Sequence, residues 1–358
     1  MLAACRRGMF FAAICALPLV ARGQDEGIVV TDDATSMPVM DAPGDFYAPG
    51  PSAGFVNPKP LTNHASAVWA GQIDALWLWR GNVPGLPLAM NGEGGVILDA
   101  NDADPTAATG PRVGILRRIG DCYAIEGNYL NVGTFNGNAL LPNTGELYFA
   151  ESLGGVEPAG EITSARASTW SVFKSAEFNG RALTGGPITW LAGFRWVEWD
   201  DRMDVEYDYG PGSGFDGFDA RTGNNLYGGQ VGADMRLWNT EGIVRVDGIA
   251  KAGVFYNHSA YQRTSAEFVD SNSDVIPLGS VNATDDTVSF MGEVGLNASV
   301  SITRWLAWRA GYSVFWLSGV ATAPQQFAAS DLAESTGSVN TNGSVLLHGV
   351  TTGLEARW

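Results

Sequence analysis

From position 69 to 80 the chain alternates: Trp69, Gly71, Ile73, Ala75, Trp77 and Trp79 share one face, with Gln72, Asp74 and Arg80 on the other. A period of two is that of a β-strand with one apolar and one polar side. The pattern returns at Tyr227, Gly229, Val231, Ala233, Met235 and Leu237 against Gln230, Asp234 and Arg236. It returns again at Val244, Val246, Gly248, Ala250, Ala252, Val254 and Tyr256 against Arg245, Asp247 and Lys251. Segment 288–300 turns Glu293 and Asn297 to the polar side, and 306–316 turns Arg309 there against Leu306, Trp308, Ala310, Tyr312, Val314 and Trp316. The last segment, 344–358, alternates Leu346, His348, Val350, Thr352, Leu354, Ala356 and Trp358 with Glu355 and Arg357 on the opposite face. Weaker candidates are 109–118, 122–132, 166–180 and 188–198. Together these predict about ten strands, each matching the roughly 9 to 11 residues that a tilted strand needs to cross a bilayer. Segment 166–180 carries a conflict, because Lys174 falls on the face of Trp170, Val172, Ala176 and Phe178. A lysine at the bilayer midplane costs about 2 to 4 kcal/mol, so a bulge or a shifted register is expected there.

The connections alternate in length. Short ones fall near 119–120, 179–187, 238–242 and 301–304, and long ones at 81–108, 133–164, 198–224, 257–286 and 319–343. Outer-membrane barrels have short periplasmic turns and long extracellular loops. The predicted fold is therefore all-β, a transmembrane antiparallel up-and-down barrel over 66–358. A soluble sandwich would lack the paired aromatics at both ends of its outer faces, which Trp69 and Trp77, and Trp308 and Trp316, supply. Val350, Leu354, Ala356 and Trp358 read as a C-terminal assembly signal, an apolar alternation closing on an aromatic residue.

Ahead of the barrel, Arg6 and Arg7 precede an apolar run ending at Val20 and a small-residue site at Ala21-Arg22-Gly23. That is the form of a signal peptide over 1–23, and the run is shorter than the roughly 20 residues of a spanning helix. Residues 24–65, rich in Pro, Gly, Asp and Ser, predict a flexible periplasmic lead. Removing the leader takes away Cys5 and Cys15, leaving Cys122 as the one cysteine of the mature chain, so no disulfide framework is expected. The formal charge is -17, and the leader holds three arginines and no acids, so the mature chain is more negative still. The excess lies in the five long connections, since the charges of the lead and of the strands with their short turns cancel. These features imply an exported outer-membrane protein whose partners are outer-membrane lipid and the export and barrel-assembly machinery. No basic patch or motif suggests nucleic acid.

The predicted lumen carries Asp74, Glu126, Glu177, Asp234, Asp247, Glu293 and Glu355 beside Arg195, Arg236, Arg245, Lys251, Arg309 and Arg357, with Gln230 and Asn297 among them. A charge-selective pore presents a ring of one sign. A balanced set in a narrow barrel can instead pair across the lumen. The third long connection holds Asp200, Asp201, Asp204, Glu206 and Asp208, a candidate Ca²⁺ site by ligand type, without the ordered spacing of a dedicated loop. Catalysis of the omptin kind needs Asp and Asp-His couples at the rim. Here His258 and Asp285-Asp286 face one another across the fourth long connection, but the Asp-x-His spacing is missing and no nucleophile and base are placed together. No cofactor is expected from these residues, and the sequence points away from an enzyme.

Three strings carry a resemblance: Gly193-Phe194-Arg195-Trp196-Val197-Glu198-Trp199-Asp200-Asp201, the run 224–234 (NNLYGGQVGAD), and Lys251-Ala252-Gly253-Val254-Phe255-Tyr256-Asn257. With Ile73-Asp74-Ala75-Leu76-Trp77-Leu78 they resemble the β-barrel porin type-7 family of planctomycete bacteria. The resemblance implies an outer-membrane barrel and brings no substrate or catalytic residue with it. The function expected is a porin-like or envelope-structural barrel with acidic extracellular loops, the alternative being a surface protein that binds Ca²⁺ or another ligand in those loops.

Overall fold

The computed structural model describes residues 67–81, 83–142, 147–149, 162–211, 213–240, 243–269, 274–327, 329–331 and 334–358. The expected leader and periplasmic lead lie outside these. Ten strands follow in chain order: β1 (Trp69–Arg80), β2 (Ala108–Ile119), β3 (Tyr123–Leu141), β4 (Ser164–Leu183), β5 (Ile188–Asp208), β6 (Phe215–Thr240), β7 (Val244–Val269), β8 (Asp274–Ser301), β9 (Leu306–Val320) and β10 (Gly343–Arg357). Each pairs antiparallel with the next, and β10 returns to β1, so the barrel is closed and has no free edge. The closing register runs from Ala70↔Arg357 to Arg80↔Leu347. All ten predicted strands are present, and no described helix is long and apolar enough to cross a membrane.

The outer face explains why the alternation reads as it does. Exposed Trp190, Trp238, Trp305, Trp308 and Trp358 lie at the short-turn end, and Trp79, Trp170, Tyr227, Tyr256 and Trp316 lie 10 to 13 residues further along their strands. Between them are exposed Ile73, Phe178, Phe194, Val231, Val254, Val294, Val350 and Leu354. At about 3.3 Å per residue and a tilt of about 40°, that spacing gives a band of about 25 to 30 Å, the height a bilayer covers.

Two expectations are corrected. The long connections 198–224 and 257–286 are mostly strand. β5 and β6 leave only a short turn between Asp208 and Phe215, and β8 is 28 residues long. The wall thus continues well above the band. The expected irregularity in 166–180 is also absent from β4, which pairs with β5 in one unbroken register from Ser164 to Leu183. The register shift lies instead in the neighbouring β3, between Val132 and Phe135. Lys174 does face outward, but it sits nine residues from the end of its strand at Leu183, nearer the outer interface than the midplane, where it donates a hydrogen bond to Glu198 at 2.5 Å. A cation near an interface, partnered by a carboxylate, avoids the midplane penalty. Cys122 lies in the turn after β2, and Cys5 and Cys15 lie outside the described residues.

Candidate functional site

Alternation turns every second residue of ten strands into one narrow lumen, and three layers fill it. The layer nearest the short turns is polar. Arg181 bridges Glu126 and Asp234. Glu177 accepts from Lys251 at 2.7 Å and from Gln230 at 2.5 Å. Glu293 lies at the centre, with Arg195 at 2.7 Å, Arg112 at 3.4 Å and Lys251 at 3.7 Å, three cations from three strands. Arg309 reaches Asp74 at 3.4 Å and Asn297 at 3.2 Å, Arg245 pairs with Asp247, and Arg357 pairs with Glu355 at 2.5 Å. Arg236 stands opposite Asp247 in the ladder and is half-buried. A charge withdrawn from water needs such partners, because an isolated one costs several kcal/mol or more.

Every side chain expected in the lumen is buried or half-buried here. Three members were not foreseen. Arg181 fell within the segment read as a turn, though continuing the inward series Ser175, Glu177, Asn179 by two would have reached it. Arg112 lies on a strand whose inward face mixes Gly110, Gly114 and Leu116 with Arg112 and Arg118, so its alternation is faint. Asp201 was read as a loop residue; it faces inward and is held by Arg80 at 2.7 and 3.1 Å, a bridge from β1 to β5 across the lumen.

Above the ions is an apolar layer. Phe173 and Phe315 meet at 5.5 Å between ring centroids, Phe135 and Trp199 at 6.4 Å, and Leu76, Phe255 and Leu347 join the same buried cluster. Arg80 stacks over Trp199 at 5.1 Å, tying this layer to the Asp201 bridge.

The third layer is made by the connections themselves. Leu86, Leu88, Ala100 and Ala103 of the first long connection pack with Met203, Val205, Tyr207 and Phe218 of the wall. Tyr207 donates to the Leu88 carbonyl at 2.8 Å and Thr169 to that of Ala103 at 2.9 Å. From the opposite side comes the helix Ala323–Phe327. Its first amide donates to Asp201 at 3.1 Å, and Arg263 donates to the Phe327 carbonyl at 2.9 Å while lying over its ring at 4.7 Å.

The candidate cation set is divided by strand geometry. Asp201 points inward; Asp200, Asp204, Glu206 and Asp208 point outward, and Arg202 donates to Asp204 at 2.9 Å. Among the described residues no three acidic, His or Cys side chains converge on a metal position. Strand geometry takes Asp201 out of that candidate set, since successive residues of a strand face opposite ways. His258 and Asp286 are direct cross-strand partners 2.7 Å apart, on the outer wall above the aromatic band. Hydrogen bonds from His258 and then Tyr256 hold Asp286 below the usual carboxylate range.

Asp204 and Asp219 are also cross-strand partners above the band. Burial, then the hydrogen bond with Asp219, pushes the Asp204 carboxyl from 3.8 up to about 7. Burial works against Asp219, but hydrogen bonds from Asp204 and Arg221 hold it below its ordinary value. A raised carboxyl leaves the folded state holding a proton that the unfolded chain has lost, so stability falls as pH rises from about 4 to about 7. Asp204→Asn keeps a donor toward Asp219 without the titration. The expected result is a higher thermal midpoint than the parent at about pH 8 and the same midpoint near pH 4; a parent midpoint flat across that range would refute the shared proton.

No curated protein matches the chain. Among solved structures it is similar to the outer membrane protease OmpT from Escherichia coli, at 12% identity and a TM-score of 0.42, covering 86% of this chain and 100% of that one. It is also similar to the Pseudomonas putida toluene transporter TodX, at 10% identity and a TM-score of 0.33, covering 82% and 90%. Neither likeness bears on function. The family model described as "Putative beta barrel porin-7 (BBP7)" matches residues 157–358. That span is more than half of the chain and takes in the last seven strands, from β4 to β10, and the protein belongs to this family.

Proposed function

We propose that the protein is a structural component of the outer membrane, a barrel that does not conduct and that carries a rigid wall above the lipid surface. The observation supporting this is that the lumen is occupied at three successive heights: by paired ions, by packed Phe, Trp and Leu side chains, and by two inserted connections. An open pore needs a continuous wetted path, and a charge-selective one presents a ring of one sign. Here carboxylates and cations pair with each other, and Arg80 crosses the lumen to Asp201. The family description contains the word porin, so conduction is the competing reading.

Reconstitution into planar bilayers separates the two. The expected result is insertion, verified by protease protection, without stable stepwise conductance at moderate voltage and salt. Reproducible unitary steps that disappear when the protein is omitted would overturn the closed-barrel reading. The excess negative charge at the medium-facing end is part of the same proposal, since it favours a hydrated, mutually repelling surface.

A further inference from the structure

One cavity lies outside the lumen, on the outer wall above the aromatic band. Its volume is about 950 Å³, within the range of small-ligand sites. Asn136, Trp170, Arg202, Arg221, Gln262 and Asn282 are consecutive cross-strand partners that cross it as one row over six strands. In the adjacent row the outward positions are small, Gly223 and Ala260, which leaves a floor between larger polar walls. Because the strands tilt, the row climbs. Trp170 is 13 residues from the end of its strand, at the level of the aromatic band, whereas Gln262 is 18 residues from Val244 and well above it.

The side chains are held in place. Asp219 accepts from Arg221 at 2.8 Å and forms an ion pair with Arg202 at 2.8 Å, and Asp204 accepts from Arg202 at 2.9 Å, so two like charges side by side are clamped by carboxylates between them. Each guanidinium keeps further donors. Asn138 accepts from Ser168 at 2.9 Å on the next row. The result is an exposed indole beside fixed amides, carboxylates and guanidiniums, with acids and bases nearly balanced. A phosphate would meet Asp200, Asp204 and Asp219 as readily as the two arginines, and a hydrocarbon chain would have to cover those same charged groups. A neutral saccharide fits. Its C–H face stacks on an indole, and its hydroxyls both donate and accept.

We infer that this groove binds the saccharide headgroup of an outer-leaflet glycolipid, with Trp170 as the stacking platform and Arg202, Arg221 and Gln262 as hydroxyl partners. The groove begins at the level where such a headgroup leaves the hydrocarbon. The inference is independent of whether the lumen conducts.

The test uses full-length protein expressed in its own host and taken from the outer membrane into mild detergent, examined by native mass spectrometry. Parent protein is compared with Trp170→Ala, which removes the platform, and Ala260→Trp, which fills the floor. Both positions are on the outer wall, and folding is checked by heat-modifiable gel mobility; Trp190→Ala, in the opposite aromatic belt, is the control. The expected result is a saccharide-bearing lipid retained by the parent and the control, and retention about tenfold weaker in both groove variants. The delipidated saccharide from the same glycolipid should bind the parent in titration calorimetry. Absence of glycolipid from the parent, equal retention in all four proteins, or failure of the delipidated saccharide to bind would each overturn the proposal; equal retention would assign binding to the acyl chains. Loss of binding on enzymatic dephosphorylation of the lipid would overturn it too, in favour of an anion site.

Discussion

Replacing Arg181 with Met is expected to destabilise the barrel by about 3 to 5 kcal/mol, the range for removing one partner of a buried ion group. Arg181 is 1% exposed and reaches Glu126 on β3 and Asp234 on β6, both buried. Its loss leaves two carboxylates facing one another without a cation, away from water. The magnitude comes from stranding those charges, not from the worth of the bridge. A second outcome follows from this distinction. In the triple variant Arg181→Met, Glu126→Gln, Asp234→Asn no charge is stranded, and most of the loss should be recovered. Urea unfolding in detergent or lipid, compared by midpoint at constant slope, measures both. A single variant as stable as the parent would show that the lumen is wet at this height, and a triple variant no better than the single would show that the hydrogen-bond geometry matters more than the charge.

Deleting Trp358 is expected to reduce correctly assembled protein in the outer membrane by about an order of magnitude, equivalent to about 1.4 kcal/mol. The final residue completes the seam. Its carbonyl accepts from Val68 at 3.0 Å and Trp69 at 2.9 Å, and its amide donates to the Trp69 carbonyl at 3.1 Å. Three such bonds at about 1 kcal/mol each exceed that requirement. The indole lies over Gly71, where a Cβ would come within 3.3 Å of the ring, so the aromatic packs against bare backbone of the first strand. The same seam has Gly349 and Gly353, at which a Cβ would fall about 2 Å from the carbonyls of Trp77 and Ile73. Trp358→Phe keeps the backbone bonds and an aromatic face and should retain most assembly. Cell fractionation with heat-modifiable mobility reads the outcome; unchanged insertion of the truncated chain would remove the last residue from any assembly role.

The sequence made the membrane-facing part of the wall legible because two solvents alternate there, lipid outside and a polar lumen inside. Above the band the outer solvent is water, and the phase of the alternation reverses. On β5, Trp190, Phe194 and Trp196 face outward below, while Trp199, Met203, Val205 and Tyr207 face inward above. A period-two reading that keeps one phase stops at Glu198, which is why the upper half of this hairpin looked like an acidic loop. The helix Ala323–Phe327 and the segment around Leu88 could not be read either. They are short, and they are held by contacts with residues more than a hundred positions away, as Tyr207 holds Leu88 and Asp201 holds Ala323. The charged lumen was visible as a set of residues, but its pairing was not, because partners such as Arg112 and Glu293 lie on strands far apart in the chain.

The hub at Glu293 bears on how this interior can change over evolutionary time. Arg112, Arg195 and Lys251 reach it from separate strands, and Lys251 also holds Glu177. Loss of Glu293 would leave Arg112 and Arg195 without their carboxylate, and loss of Lys251 would take the paired cation from Glu177, so accepted changes at these two positions must come in compensating sets. Aligned relatives should therefore show positions 112, 177, 195, 251 and 293 substituting in concert, while the lipid-facing residues between them drift independently among apolar types.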